Sequence, residues 1–294
     1  MIVVTTPSGT VGSELVRLLA ARDAVLPFRV VTRNPDRISQ AYGTDVPAVM
    51  FDYDDHSTWN AALADIRMLF LVVPNPQPQS IRAHILPFID AALEAGCQHI
   101  IYQSVPGADR QQILPHYQVE RHIEASGIAY TFLRPSYFMQ NLCGRSPTHG
   151  VDIATRHEIF IPAGRGKTSF IDTRDVASVV IKIFEDPEPH KNRGYLLIGP
   201  QSLDFFAVAK IFSHVLGYPV RYTNPSLPRF WMRMKKRGVP WSLIFFMTLE
   251  YTLARLGHAG FQSDELPALL GRPAIKMEQF VVDNKTRWET QTWV

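Results

Sequence analysis

The chain has 294 residues, of which 46% are hydrophobic and 19% are charged, a composition that excludes a disordered protein and predicts a globular one. Its 30 basic and 27 acidic side chains give a net charge of +3, which is too small to indicate a nucleic-acid partner. The two cysteines, Cys97 and Cys143, match no metal-ligand spacing, so no metal site is predicted.

The start of the chain and its longest apolar stretch bear on its location. The first residues predict a strand and not a charged segment followed by an apolar one, so no signal peptide is expected. The stretch from residue 241 to residue 256 contains Glu250 and Arg255, and it is too short and too polar for a membrane span. We therefore expect a cytoplasmic protein with no membrane partner and no nucleic-acid partner.

The N-terminal residues predict a strand, a glycine-containing turn and a helix. Residues 1–5 are rich in β-branched side chains, and apolar side chains recur at helical spacing over residues 11–19. In a dinucleotide-binding βαβ unit, Gly9 would let the backbone approach a pyrophosphate and Gly12 would let the helix pack closely on the strand. Thr6 stands where the first glycine of that fingerprint usually lies, so an ordinary βα turn is the alternative.

Several residues around this turn are expected to contact the cofactor, whose phosphates would face the N–H groups and the positive dipole end of the helix. They are Thr5, Ser8, Gly9, Thr10, Val11 and Gly12.

The rest of the first half alternates between apolar runs and helical patterns. Predicted strands cover Phe28–Thr32, Ala48–Phe51, Met68–Val73, His99–Gln103 and Ala129–Leu133. Predicted helices cover Ser80–Ala95, which ends at Gly96, and Leu114–Ser126, which ends at Gly127. Strands separated by helices of this length predict a doubly wound parallel sheet.

The second half has short predicted strands and more helix. The strands are Ile159–Pro162 and Tyr195–Ile198, and the helices are Val176–Phe184, behind a capping box that starts at Asp172, and Phe205–Leu216. We predict an α/β, doubly wound parallel-sheet Rossmann fold with a smaller, mostly helical C-terminal substrate lid. Residues 1–150 would form the NAD(P)-binding domain, and residues 151–294 would complete the sheet and form the lid.

The end of the second strand indicates which cofactor is bound. A carboxylate there would bind the ribose 2′-hydroxyl of NAD, but this chain has Thr32 followed by Arg33. Arg33 can make a charge-assisted contact with a 2′-phosphate, and Arg37 is a weaker candidate for the same contact. We therefore predict NADP(H), the alternative being that Arg33 is an ordinary solvated arginine.

Three other strand ends supply candidate site residues. Asp52 follows the third strand and could accept a hydrogen bond from the adenine amino group, or it could cap the next helix. Val72, Val73 and Pro74 end the fourth strand, where the chain must turn over the cofactor. Ser104 ends the fifth strand and could reach a substrate carbonyl or the nicotinamide ribose, or it could cap a turn.

Two further segments resemble ligand-binding motifs. The run GRGKT at residues 164–168 resembles the end of a P-loop, but the earlier glycine is missing, so we reject that interpretation. The basic, aromatic run at residues 229–237 could bind a nucleic acid or an anionic surface. We favour a helix with a solvated basic face and an inner face of Phe230, Trp231 and Met234.

One block of sequence is more specific than the glycine turn. Residues 116–141 read HYQVERHIEASGIAYTFLRPSYFMQN, with Glu120 in a helix followed by Ser-Gly, Tyr-Thr, Leu-Arg-Pro and Phe-Met-x-Asn. The runs IPAGRGKTSFIDTRDVA from Ile161, GYPVRY, and LLGRPAIKMEQFV follow further along. Over nearly its whole length the chain resembles the NmrA-like family of atypical short-chain dehydrogenases/reductases.

This resemblance implies an NAD(P)-binding Rossmann domain, a small C-terminal domain and a substrate cleft between them. Some members of the family reduce quinones, dyes or other small unsaturated compounds, and others bind the cofactor without turnover as redox-sensing regulators. The chain departs from the family in its glycine turn, where Pro7 also removes a backbone N–H donor. It also lacks the Tyr-x-x-x-Lys pair of the wider superfamily, since Tyr117 is followed four residues later by Arg121.

Three residues are the candidates for catalysis: His116, Ser104 and Tyr137. Many members have a lysine where this chain has His116, and a histidine there resembles the NADPH-dependent quinone and triphenylmethane-dye reductases. His116 could donate a proton or a hydrogen bond to the substrate, or it could merely hold the cofactor or a loop. Tyr137 could supply a hydroxyl or pack as an aromatic ring, and Pro135 is expected to contact the cofactor.

We therefore expect an NADP(H)-dependent reductase of a small, planar or quinone-like compound, acting as a monomer or homodimer. Aromatic side chains in the lid support a planar apolar substrate; they are Trp231, Trp241, Phe245, Phe246 and Tyr251. The alternatives are a catalytically silent NAD(P)-sensing protein and a biosynthetic isomerase on the same fold.

Overall fold

The computed structural model describes residues 1–22, 26–74, 76–143 and 149–289. The chain divides into two compact units. The first comprises Met1–Pro135 and Thr173–Leu197, and the second comprises Ser136–Asp172 and Ile198–Val294.

The strands are β1 (Ile2–Thr5), β2 (Phe28–Thr32), β3 (Ala48–Met50), β4 (Met68–Val72), β5 (His99–Gln103), β6 (Ala129–Pro135), β7 (Tyr137–Phe138), β8 (Glu158–Ile159), β9 (Thr168–Ile171), β10 (Arg193–Leu197), β11 (Gln201–Leu203) and β12 (Arg221–Tyr222). The α-helices are α1 (Thr10–Ala20), α2 (Pro35–Tyr42), α3 (Trp59–Leu63), α4 (Pro78–Ser80), α5 (Leu86–Glu94), α6 (Pro115–Ala125), α7 (His149–Arg156), α8 (Thr173–Glu185), α9 (Phe205–Leu216), α10 (Leu227–Lys236), α11 (Trp241–Arg255), α12 (Glu265–Leu270), α13 (Met277–Asp283) and α14 (Thr286–Glu289). Short 3₁₀ helices cover His56–Thr58, Met139–Leu142 and Glu188–His190, and a π-helical turn covers Ile81–Ile85.

The first unit is built on a seven-stranded sheet in the order β10-β6-β5-β4-β1-β2-β3, in which every neighbouring pair is parallel. The central strands are continuous apolar runs because helices cover both faces of such a sheet. The strand order reverses at β1, which lies between β2 and β4, and ligands of doubly wound sheets bind at the carboxyl edge beside this point. The predicted doubly wound parallel sheet is confirmed.

Helices pack against the sheet of the first unit through apolar side chains. Trp59 of α3, Phe88 of α5 and Val119 of α6 share one buried cluster with Val3 of β1 and Leu69 of β4. The helix α1 packs against α8, which enters this unit from later in the chain.

The second unit has smaller sheets than the first unit and is mostly helical. Its three-stranded sheet has β9 between β7 and β11, and β8 pairs with β12 in a separate ribbon. The helices α7, α9, α10, α11, α13 and α14 contribute to a core that includes Phe205, Phe212, Phe230 and Phe280. In the part of the chain that the structure describes, no helix combines the length and apolarity needed to cross a membrane.

Some predicted boundaries need correction. The predicted helix from Ser80 starts at Pro78 and contains the π-helical turn, because Pro87 has no N–H to bond to the carbonyl of Ala83 in a regular α-helix. The predicted strand Ile159–Pro162 is instead β8, which ends at Ile159 where its partner β12 ends.

Candidate functional site

The turn after β1 follows a tight path that places two glycines against Thr6. Thr6 has a φ of 52°, a left-handed conformation that favours glycine. This conformation explains why the usual fingerprint has its first glycine at this position. The Gly9 N–H donates to the Thr6 carbonyl at 3.0 Å, and the Thr6 hydroxyl donates to the carbonyl of Val72 at 3.3 Å. A Cβ added to Gly12 would lie 2.1 Å from the Thr6 carbonyl oxygen, so this close approach requires glycine.

The start of α1 offers backbone donors to an anion. Its N-cap is Gly9, and no side chain accepts a hydrogen bond from the first turn. Ser8 and Thr10 are exposed, and Val11 is buried beneath the turn. Free N–H groups and the positive end of the helix dipole suit a phosphate, so these residues fit the pyrophosphate of a dinucleotide.

The end of β2 carries a cation and no carboxylate. Arg33 is exposed, and within the described ranges its guanidinium has no ion-pair partner. The Thr32 hydroxyl accepts from the Asn34 N–H, and the Asn34 side chain caps α2 by accepting from the Arg37 N–H. Arg33 is therefore available to a 2′-phosphate, as the sequence predicted for an NADP(H) site.

The carboxylate of Asp52, after β3, accepts a hydrogen bond from the Asp54 N–H at 3.1 Å, so one of its oxygens is engaged in its own turn. The following 3₁₀ helix is capped by Asp55, which accepts from the Ser57 N–H. The adenine contact predicted for Asp52 would therefore involve its second carboxylate oxygen.

The junction of β1 and β4 is held by the side chain of Thr5. Its hydroxyl donates to the Phe70 carbonyl at 3.0 Å and accepts from the Val72 N–H at 2.8 Å, and the residue is fully buried. Val72 is half-buried, Val73 is buried and Pro74 is exposed at the same sheet edge. Any contact between Thr5 and the cofactor would therefore not involve a free hydroxyl.

Ser104, after β5, belongs to a buried ionic cluster. Its hydroxyl donates to Glu120 at 2.6 Å, and Arg134 donates to both carboxylate oxygens of Glu120, at 3.0 and 2.7 Å. Although burial acts to lower it, the hydrogen bonds and charge of Glu120 raise the pKa of Arg134 above its ordinary value. Because the Ser104 hydroxyl donates its proton to Glu120, it can act towards a ligand only as a hydrogen-bond acceptor.

His116 lies at the start of α6 and bonds to Tyr102, the fourth residue of β5. The Tyr102 hydroxyl and His116 Nδ1 are 2.6 Å apart. Burial raises the pKa of Tyr102 well above its ordinary value, and burial lowers the pKa of His116 to about 4. At pH 7 the tyrosine is therefore protonated and the imidazole is neutral, and no described residue bonds to His116 Nε2.

Tyr137, in the second unit, is part of a hydrogen-bonded chain. Its hydroxyl lies 3.2 Å from that of Tyr251, which lies 2.5 Å from His149 Nε2. Burial raises the pKa of both tyrosines and lowers the pKa of His149 to about 4. Burial also raises the pKa of the neighbouring Glu250 to about 7. Sequence reasoning missed His149, because 102 positions separate it from its partner.

The aromatic residues of the predicted lid have different environments. Tyr251 is buried, whereas Trp241 and Phe245 are 57% and 73% exposed. On α10, Phe230 and Met234 lie on the inner face as expected, but Trp231 was placed there wrongly. One residue is a rotation of about 100° on a helix, so Trp231 falls outside the face shared by positions four apart.

The basic run on this helix is only partly solvated. Arg233 and Arg237 donate to the buried carboxylate of Asp152, at 3.0 and 2.9 Å. These two cations therefore hold α10 against α7 and do not form an open basic surface.

Comparison with known proteins places this geometry in a family. The model of the NmrA-like family matches residues 1–236. The chain belongs to the NmrA-like family. The NmrA-like chain is 33% identical to an NAD(P)H azoreductase of Xenophilus azovorans over 285 residues, covering 95% of this chain and 96% of that protein. It is 25% identical to quinone oxidoreductase 2 of Escherichia coli, covering 96% and 97% of the two chains.

Solved structures agree with the fold of this NmrA-like protein. The Citrobacter triphenylmethane reductase, solved in complex with NADP(H), superposes with a TM-score of 0.82 at 24% identity, covering 96% of this chain and 99% of that one. The family and fold predicted from the sequence are therefore confirmed.

Proposed function

We propose that this protein is an NADP(H)-dependent oxidoreductase that reduces a small, planar or quinone-like organic compound. The observation that carries the proposal is the carboxyl edge of the parallel sheet. There, the uncapped start of α1 follows a glycine turn and an unpaired Arg33 follows β2. Relatives named as an NAD(P)H azoreductase and a quinone oxidoreductase support the same reaction class.

In this proposal the residues of the chain bind and orient both reactants. The first-turn N–H groups of α1 would bind the pyrophosphate, and Arg33 would bind the 2′-phosphate. NADPH, when bound, supplies a hydride. His116 would donate a hydrogen bond from Nε2 to the oxygen of the acceptor, with Tyr102 fixing its tautomer and orientation.

A turnover assay tests the proposal. Purified protein is mixed with NADPH and, in turn, with a quinone, an azo dye and a triphenylmethane dye, and cofactor oxidation is followed by absorbance. We expect turnover with at least one acceptor, and His116→Ala should lower it by about ten- to a hundredfold, through loss of the hydrogen-bond donor to the acceptor oxygen. His122→Ala is the matched control, because His122 lies on the same helix and bonds to Asp90.

The silent-sensor alternative is favoured by the turn, where a β-branched Thr6 takes a left-handed conformation and Pro7 has no N–H. It predicts tight NADPH binding with no oxidation by any acceptor, and altered protease sensitivity of the C-terminal helices. Conversion of a substrate isomer without net cofactor oxidation would instead indicate an isomerase.

A further inference from the structure

A cavity in the second unit is lined by three basic side chains that the proposed function does not use. Its volume is about 600 Å³, within the range of small-molecule sites. Arg165 and Lys167 come from the loop before β9, and Arg255 is the last residue of α11. The loop is the GRGKT segment that was rejected as a P-loop.

Glycines bring this loop against the helix end. A Cβ on Gly166 would lie 1.9 Å from the carbonyl oxygen of Ala254, so no other residue would allow the loop to lie this close to α11. A Cβ on Gly164 would lie 3.2 Å from the Cγ of Arg255. This contact brings the backbone of Arg165 and Lys167 next to the end of α11, where Arg255 lies.

The three cations have no counter-charge in the cavity. None of them forms an ion pair with a carboxylate in the described ranges, and no acidic residue lines the cavity. Arg165 also lies 5.2 Å from the ring centroid of Phe206, and Arg255 faces the negative end of the α11 dipole. Lys167 has no such contact among the described residues, and all three side chains are exposed to solvent.

Ser202 also lines the cavity. The Oγ of Ser202, in β11, is buried without a hydrogen-bond partner among the described residues. Gly260 keeps this part of the cavity free of a side chain, since a Cβ there would lie 3.1 Å from Ser202 Oγ and 3.5 Å from the Cβ of Lys167. The guanidinium forks of Arg165 and Arg255 and the ammonium of Lys167 are groups that bind tetrahedral oxyanions.

We propose that Arg165, Lys167 and Arg255 bind the phosphate or sulfonate group of a small-molecule ligand in this cavity. All the residues involved belong to the second unit and differ from those assigned to NADP(H). The proposal therefore does not rest on the proposed function.

The test is calorimetric titration of the full chain with benzenesulfonate and with phenyl phosphate, at constant ionic strength, both without NADP⁺ and with saturating NADP⁺. Phenol, which has the ring without the oxyanion, should bind at least tenfold more weakly than one of these two probes. Lys167→Gln and Arg255→Gln should each weaken binding of that probe by about tenfold, as expected for loss of a charge-assisted hydrogen bond. Lys167→Arg should retain most of the affinity.

Lys210→Gln is the matched control, because Lys210 is exposed on α9 and does not line the cavity. It should bind the probes like the natural chain, and thermal melting should show that all variants fold. Equal affinities of the natural chain and Lys167→Gln, equal losses for Lys210→Gln, or binding abolished by NADP⁺ would each overturn the proposal. A response to phenyl phosphate alone would assign the site to phosphates, and a response to benzenesulfonate alone would assign it to sulfonates.

Discussion

Replacing Arg33 with alanine should change the cofactor preference of the protein more than its stability. Arg33 is exposed and has no ion-pair partner in the described part of the chain, so the substitution breaks no internal contact. A hydrogen bond to a charged group contributes about 1.5–3 kcal/mol, which corresponds to roughly ten- to a hundredfold in affinity. Because solvent and salt screen an exposed pair, we expect about tenfold at physiological ionic strength.

The measurement is a titration of the natural chain and Arg33→Ala with NADPH and with NADH. Only the NADPH affinity should fall, and the difference between the proteins should shrink as salt is added, because the lost term is electrostatic. Lys182→Ala removes one exposed charge from α8, away from the turn, and should leave both affinities unchanged. Equal losses for NADPH and NADH in Arg33→Ala would refute the assignment of this residue to the 2′-phosphate.

Three further predictions concern the turn, the ionic cluster and the buried histidines. Gly9→Val should abolish NADPH binding while thermal melting shows a folded protein, since even an added Cβ would lie 3.1 Å from the Thr6 side chain. An unchanged NADPH affinity would mean that the turn has only a structural role. Glu120→Ala should lower the unfolding free energy by about 1.5–3 kcal/mol in a denaturant titration, because it removes the partner to which the half-buried Arg134 donates two hydrogen bonds. A loss below about 1 kcal/mol would contradict this. His99 and His149 are buried with pKa values lowered to about 4, so the unfolded state binds more protons between pH 6.5 and 4. Protonation of Glu250, whose pKa is raised to about 7, acts in the opposite direction over the same interval, so the test uses the Glu250→Gln variant. The stability of this variant should hold above pH 6.5 and decline as the pH falls towards 4, by about 2 kcal/mol per histidine between pH 7 and 5. A stability that is flat over this interval would be inconsistent with buried neutral rings.

Elements with a single dominant local signal could be predicted from the sequence. The bounds of β2, β5 and α9 match the prediction, and α9 ends at Gly217 in the left-handed conformation typical of a helix C-cap. The sequence also predicts that Arg33 and Ser104 lie at the carboxyl edge of the sheet, because each follows a strand and parallel strands all end at the same edge.

The hydrogen-bond partners of the site residues could not be predicted in the same way. The Tyr102 to His116 bond and the His149 to Tyr251 bond depend on which strands and helices pack together. The motif at residues 116–141 includes Glu120, but the sequence does not show that Glu120 accepts from Ser104. That contact depends on how β5 and α6 pack together. Local periodicity carries no information about such pairings, which arise only when the chain is folded.

The departure at Thr6 illustrates how a fingerprint can change without changing the path of the backbone. A β-branched residue in the left-handed region costs roughly 1–3 kcal/mol of local strain, and the Thr6 hydroxyl offsets part of it by bonding to the Val72 carbonyl. The close approach that Gly12 permits is retained, and the start of α1 stays uncapped. The substitution therefore removes conformational freedom from the turn but leaves the donors that a pyrophosphate needs.

The state of His116 restricts the chemistry that the proposed reductase could perform. An imidazole whose pKa is lowered to about 4 is neutral at pH 7, so it can donate a hydrogen bond from Nε2 but holds no extra proton to transfer. Hydride transfer to a simple ketone forms a localised alkoxide, which is unstable unless it is protonated. A quinone accepts a hydride readily because the product anion is delocalised over the ring. A neutral donor next to the acceptor oxygen is sufficient for the second class of acceptor, and the absence of a Tyr-x-x-x-Lys pair is consistent with the same restriction. The burial of His116 thus supports the quinone-like acceptor in the proposal.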